Sequence, residues 1–290
     1  MPDERRSWSE SLLFSPLHVR SVRFRNRIVL PPMKTNMDLT DRQAVAYYRA
    51  RSAGGAGLVI VEATPLEQFD DPRFGDSLRR LADAVHAGGA TAAIQLIQFG
   101  RLNGERVEPS ATEDARAATT EEIKEIVGRF AAAAAMACDA GFDAAEIHGA
   151  HDFLLNRFFS PQLNRRTDGY GGTLERRMRF GLEVVGAVRS ECGEGFLVLY
   201  RHTTINRYRP HVRTLTIKPA VASIFFLSTH RAIKLTTRET SGPNSTSTPA
   251  RSASGEPHPG LSTNIKATVS HGSKDRQTPT LPIAMSLFIL

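Results

Sequence analysis

At 290 residues, with 41% hydrophobic and 23% charged side chains, the chain has ordinary globular values and length enough for one large domain or two small ones. Its charged start, MPDERRSWSE, has no secretory-signal core, and no apolar run approaches the ~20 residues of a membrane span, the terminal LPIAMSLFIL being about half that. The net charge of +7 suggests a nucleic-acid partner until it is divided: residues 1–201 carry 26 Lys+Arg against 27 Asp+Glu, and residues 202–290 carry 11 against 3.

The first part reads as strands alternating with helices. Arg27 to Leu30 (RIVL) predicts a short strand ending at Pro31-Pro32. Asp41 to Gly54 predicts a helix, with Thr40 as N-cap and the glycine pair as stop. Leu58 to Ala63 (LVIVEA) predicts an almost wholly apolar strand, followed by a helix around Ser77 to Ala87. Ala92 to Ile97 (AAIQLI) is a third strand. Thr119 or Thr120, with Glu121 and Glu122 in the first turn, opens a long Ala-rich helix that stops at Gly141. Ala144 to His148 is a fourth strand, Thr173 to Glu191 a helix, and Phe196 to Tyr200 (FLVLY) a fifth strand.

Strands apolar on both faces and separated by helices imply a parallel sheet covered by those helices. Two α/β folds satisfy the alternation, a doubly wound sheet and a (β/α)8 TIM barrel. Polar groups follow strand after strand: PPMKT, EAT, QLIQFGR, HGAH and YR. Drawing a site from many strand ends is how a barrel is used, whereas a doubly wound sheet concentrates it at one switch point, usually behind a Gly-rich turn. No GxGxxG or P-loop motif occurs, so the barrel is favoured.

From His202 the pattern stops. Stretches such as TRETSGPNSTSTPARSASGEPHPG are too poor in apolar residues to offset chain entropy, and residues 202–290 read as a disordered tail. Its one apolar patch, AVASIFFLS (Ala220 to Ser228), has the composition of a strand. Its basic residues are dispersed and its aromatics few, which argues against nucleic acid. Cys138 and Cys192 lie far apart without metal-ligand spacing, so a reduced, cytoplasmic setting is expected.

The stretch AEIHGAHDFLLNRFFSP places His148 and His151 where an apolar run breaks into a loop. Three readings compete: a metal pair, two hydrogen-bond donors aimed at a substrate, or two histidines satisfying a turn. A zinc site needs three or four ligands, and none lies nearby in sequence to complete one.

Five segments resemble the Old Yellow Enzyme family of NAD(P)H:flavin oxidoreductases, which includes 2,4-dienoyl-CoA reductases. They are LFSPLHVRSVRFRNRIVLPPM, YYRARSAGGAGLVIVEAT, IQLIQFGR, AGFDAAEIHGAHDFLLNRFFSPQLNRRTDGYGGTLERRMRF and VLYR. The resemblance covers residues 12 to 201. It implies a (β/α)8 barrel with FMN held over its mouth and reduced by NADH or NADPH. A hydride then leaves flavin N5 for an α,β-unsaturated carbonyl or another small-molecule acceptor. By the same resemblance His148 and His151 are catalytic, donating N–H groups to the acceptor oxygen as negative charge builds there. Pro31, Pro32, Met33 and Lys34 match the segment along the flavin ring, and Ala63 a small position that admits the ring to the backbone. Gln95 matches the amide at the pyrimidine edge, and Arg201 the cation near N1 and O2. No metal site is implied. Arg165, Arg166 and Asp168 are expected to fix the loop before the helix by ion pairing and capping.

The chain departs from the family at Phe153, where a proton-donating Tyr is usual, at Gln98, where a His is common, and at Lys34, where a small, thiol or hydroxyl residue often stands. No recognisable sequence supplies strands six to eight or the phosphate grip, so the expected architecture is a barrel truncated after about five strands. Two sheet edges are then expected to lie unpaired. Residues 202–290 are expected to be foreign to the fold, joined from unrelated DNA. The alternative to an active enzyme is a remnant that does not retain FMN. The acceptor and oligomeric state are not legible.

Overall fold

The computed structural model describes residues 11–202, together with the backbone of 223–226 and 288–289. The chain opens with a hairpin, β1 (Leu17–Val19) and β2 (Val22–Phe24), and continues through β3 (Ile28–Leu30), α1 (Arg42–Ala53), β4 (Leu58–Pro65), α2 (Phe74–Ala87) and β5 (Thr91–Ile97). Three short strands follow, β6 (Arg101–Leu102), β7 (Glu105–Glu108) and β8 (Arg116–Ala117). Then come α3 (Thr120–Asp139), β9 (Ala144–Gly149), α4 (Leu154–Phe159), α5 (Leu174–Cys192) and β10 (Leu197–His202). Two further strands, β11 (Ser223–Phe226) and β12 (Phe288–Ile289), lie in the last part of the chain.

The main sheet runs β11-β10-β9-β5-β4-β3-β12, and its five inner strands are parallel. Their order is monotonic in sequence, without the reversal of a doubly wound sheet. The two faces differ accordingly. One carries Val59, Val61, Ile94, Leu96, Ile147 and Val198, which join helix residues such as Leu78, Phe130 and Phe180 in one large core. The other carries Val29, Leu58, Ile60, Ala93, Leu197 and Leu199, packed with Phe24 and with the hairpin's Leu17, Val19 and Val22. A sheet with helices on one face and a small core on the other is curled, and the half-barrel predicted from the sequence is what forms.

The edges are the clearest correction. Both edge strands, expected to be unpaired, carry antiparallel partners. Ser223–Phe226, from the apolar patch seen in the sequence, pairs with β10, and Phe288–Ile289 pairs with β3. An open parallel edge offers a row of N–H and C=O groups, and any extended apolar segment within reach satisfies them. The rest of the expected disordered tail lies outside the described residues, except that β10 takes in His202.

Local signals set the helix ends. The Thr119 hydroxyl accepts from the Glu122 N–H at 3.1 Å, and the Thr119 N–H donates to the Glu122 carboxylate at 2.8 Å, completing a capping box at α3. At α1 the cap is Asp41, not Thr40, because both the N–H and the hydroxyl of Thr40 donate to Asp38 at 2.8 Å. Before α5, Arg166 grips Asp168 and also donates to the carbonyls of Pro109 and Ala118. Arg165 instead bonds Ser110 and the Ala111 carbonyl, and Thr173 caps the helix. The two cysteines, remote in sequence, lie close enough near the ends of α3 and α5 to act on each other electrostatically, and burial pushes the Cys192 thiol up to about 12.

Glu122 gives a test of this frame. The Arg116 guanidinium, its partner at 2.5 Å, draws Glu122 down from 4.5 to about 2. A carboxyl lowered on folding stabilises the fold fully above its unfolded value and loses that stabilisation as pH falls through the folded one. Glu122→Gln is expected to cost ~0.5–1 kcal/mol at neutral pH. Urea midpoints of the two proteins should converge as pH drops from 4.5 toward 2.

Candidate active site

Successive side chains of a strand alternate between faces, so positions two apart share one. From the inner apolar layer, one such step leads from Ile60 to Glu62, from Ala93 to Gln95, from Ala144 to Glu146 and on to His148, and from Leu199 to Arg201. Register then brings these rows together. Gln95 lies opposite Glu146, Leu199 opposite Glu146, and Arg201 opposite His148. All four polar members are buried, Glu146 at 0% exposure and Arg201 at 8%. Polar side chains thus crown an apolar floor at the carboxyl ends of the strands.

Ala63 has the wrong parity for this row, and a bulge corrects it. Val61 pairs with Ile94 and Thr64 with Leu96, so two residues, Glu62 and Ala63, occupy the place opposite Gln95. Glu62 accepts from the Thr35 N–H at 2.6 Å, which ties the loop holding Pro31, Pro32, Met33 and Lys34 to β4. In that loop Pro31 is buried, Pro32 and Met33 are half-buried, and Lys34 is exposed. Lys34, Glu62, Ala63 and Met37 line a cavity of about 410 Å³. Gln95, His148 and Arg201 form the separate inward row and are not part of that lining.

His148 and His151 meet at the end of β9. The Ala150 N–H donates to Nδ1 of His148 at 3.3 Å, which leaves the proton of a neutral ring on Nε2. That Nε2 lies 3.4 Å from Nδ1 of His151, so the shared hydrogen bond leaves the His151 proton on its own Nε2. Burial brings His148 down to about 3, with the positive charge of His151 and Arg201 acting in the same direction. His151 is lowered by burial and by Arg201. Both rings are neutral N–H donors at neutral pH.

The turn that carries His151 is left-handed. His151 and Asp152 have φ of +56° and +59°, left-handed conformations in succession without a glycine. Each costs roughly 1–2 kcal/mol for an ordinary side chain. A histidine that merely satisfied a turn would be better replaced there by glycine or asparagine. Among the described residues, no group of three or more His, Cys, Asp or Glu is placed to hold a metal ion.

The neighbouring side chains differ in what they do. Phe153 packs edge-on against His148 at 4.8 Å and against Phe99 at 5.3 Å, holding the imidazole from the side. Gln98 is consumed by its loop, accepting from the Gly100 N–H at 2.9 Å and donating to Glu67 at 3.2 Å. Glu146 and Glu62 were not singled out from the sequence. Both are acids in otherwise apolar strands, at the same parity as recognised site residues, and that was the available signal. Burial pushes Glu146 up to about 7, opposed by Arg201 and by the Gln95 amide.

The model of the NADH:flavin oxidoreductase / NADH oxidase family matches residues 12–260. The chain belongs to this family. The match runs beyond Arg201, where the recognisable motifs end. The metal reductase of Desulforamulus reducens is 44% identical over 216 residues, 66% of this chain and 32% of that protein. The NADPH dehydrogenase of Listeria monocytogenes is 41% identical over 203 residues, 62% of this chain and 60% of that protein. Morphinone reductase superposes with a TM-score of 0.59 at 32% identity, covering 64% of this chain and 61% of that one. This member thus spans about a third to three-fifths of the length of the relatives it matches. Among the described residues, no helix is long and apolar enough to cross a membrane.

Two outcomes follow from the histidine geometry. In a proton NMR titration the His148 ring resonances are expected to stay constant between about pH 5 and 8, the range in which an unperturbed histidine changes charge. His151→Gly is expected to raise the urea midpoint by the equivalent of ~1 kcal/mol through relief of the left-handed backbone. A lower midpoint would show that the ring contributes more to the fold than its conformation costs.

Proposed function

We propose that this chain is an FMN-dependent NAD(P)H oxidoreductase that delivers a hydride to an α,β-unsaturated carbonyl or a similar small-molecule acceptor. The observation that carries the reading is the neutral, mutually oriented His148–His151 pair standing beside the inward row of Gln95 and Arg201. The residues present fit FMN. Glu146 takes the amide N–H of Gln95, at 3.3 Å, so the Gln95 carbonyl is left to accept from the imide N–H of a flavin. Arg201 offers a fixed positive charge to the same edge. Ala63, brought round by the bulge, keeps the wall low, and Pro31 to Lys34 form a border stitched down by Glu62.

FMN, when bound, supplies reversible two-electron hydride transfer, with NADH or NADPH as reductant. The chain's own task is to hold the acceptor and stabilise its developing charge. Nε2–H of His151 donates to the carbonyl oxygen; Nε2–H of His148 holds His151 Nδ1 and joins the oxygen only by turning from it, and because both imidazoles start neutral they give hydrogen bonds without giving up a proton. Donors fixed in advance in a buried site favour the charged transition state over the neutral ground state. Phe153 has no proton to give, so an alkene acceptor, once it holds the hydride, takes its one proton from water or from another residue.

Purified protein is expected to be yellow and to oxidise NADH or NADPH when given a cyclic enone. The double variant His148→Ala/His151→Ala should retain the flavin spectrum and lose ~10²–10³ in kcat/KM for the enone. Flavin-loaded protein whose enone reduction is indifferent to both histidines would refute their assignment. A colourless protein that does not take up added FMN would identify the chain as the non-catalytic remnant.

A further inference from the structure

We propose that Glu146 is a positioning residue for the FMN edge: its carboxylate fixes the Gln95 amide and offsets the charge of Arg201, and so governs both the affinity for FMN and its reduction potential. The inference rests on the FMN reading above. Three observations carry it. Glu146 stands on the inward face one step below His148, in register with Gln95 on one side and Leu199 on the other. A carboxylate only accepts hydrogen bonds, so the NH2 end of Gln95 turns to it and the carbonyl turns away. The second carboxylate oxygen, Oε2, is buried and has no hydrogen-bond partner among the described residues.

Such a placement is costly. The floor beneath Glu146 is apolar, made of Ala93, Ala144 and Leu197, and a hydrophobic residue of similar volume would be tolerated there or preferred. Its two polar neighbours are the side chains offered to the pyrimidine edge. From β5, Gln95 faces it by hydrogen bond, and from β10, Arg201 attracts it through space. A negative charge at this point weakens the pull of Arg201 on electrons added to a flavin and so lowers the potential. Removing it strengthens that pull and leaves Gln95 free to present either end.

The experiment compares the full chain with Glu146→Gln, Glu146→Leu and Glu146→Asp, each loaded with FMN and studied above pH 7, where the wild-type carboxyl is ionised. Circular dichroism checks folding, fluorescence titration gives the FMN dissociation constant, and equilibration with a reference dye gives the two-electron potential. In the Gln and Leu variants the dissociation constant is expected to rise about tenfold. Their potential is expected to shift positive by ~30 mV or more, the equivalent of a tenfold preference for the reduced form. Glu146→Asp, which keeps the charge, should hold the wild-type potential while giving up part of the affinity. The Leu variant keeps the test open if Gln at this site does not fold. Unchanged potentials in folded, flavin-loaded Gln and Leu variants would overturn the inference and leave the FMN reading intact. Failure of the wild-type chain to bind FMN would sink both.

Discussion

Parallel strands in fixed register force every second side chain onto one face, and the site depends on that constraint. In a half-barrel the inner face is narrow, floored here by the hairpin residues Leu17, Val19 and Val22, so whatever follows the apolar layer is driven to the mouth. Gln95, Glu146, His148 and Arg201 arrive together from three strands because the parity of each strand is already fixed by its outward residues, packed under the helices. A slip of one residue in β9 would turn both His148 and Glu146 into the helix layer. The one position out of phase, Ala63, reaches the same wall only because β4 carries an extra residue.

Charge in this row is organised around Arg201. Low exposure removes the screening that would make its neighbours independent. The same cation opposes the upward push of burial on Glu146 and adds to the downward push on His148. Burial sets the direction at both groups, and Arg201 moderates it at the acid and reinforces it at the imidazole. An acceptor oxygen approaching His148 and His151 meets neutral donors, and a flavin edge approaching Gln95 and Arg201 meets an acceptor and a cation. These are different chemical faces built from adjacent strands.

The long elements were legible because their signals are long. LVIVEA and AAIQLI are too apolar for any but doubly covered strands, and Thr119 with Glu122 marks a helix start by itself. The hairpin, the three-stranded flap and α4 were not legible, since runs of two to six residues carry no readable period. Thr40 looked like a cap because its competition with Asp38 is a matter of geometry. The covered sheet edges and the meeting of Cys138 with Cys192 are contacts between segments remote in sequence, which no local pattern encodes. The histidine pair, Gln95 and Arg201 were legible as motif residues. Glu146 was passed over because a lone acid in a strand shows its burial only when its neighbours are known.

Where local rules are broken also carries information. Most of the described chain obeys them: α3 and α5 have side-chain caps, and the outward core is apolar. Left-handed non-glycine residues also stand at Arg20, Asn36 and Asn103, but exceptions of different kinds coincide at β9 and the turn after it. Two successive non-glycine residues are left-handed, the Glu146 Oε2 and Asp152 Oδ1 atoms are buried without hydrogen-bond partners among the described residues, and His148 is held far from its ordinary titration range. Each lowers stability, and none is compensated by packing that a plainer residue could not provide. Strain of several kinds coinciding at one strand end is what a scaffold shows where a ligand rather than the fold itself decides the residue. The same reasoning separates Gln98 from the site. It is as buried as Gln95, but the Gly100 N–H and the Glu67 carboxylate satisfy it, so it needs no ligand to explain it.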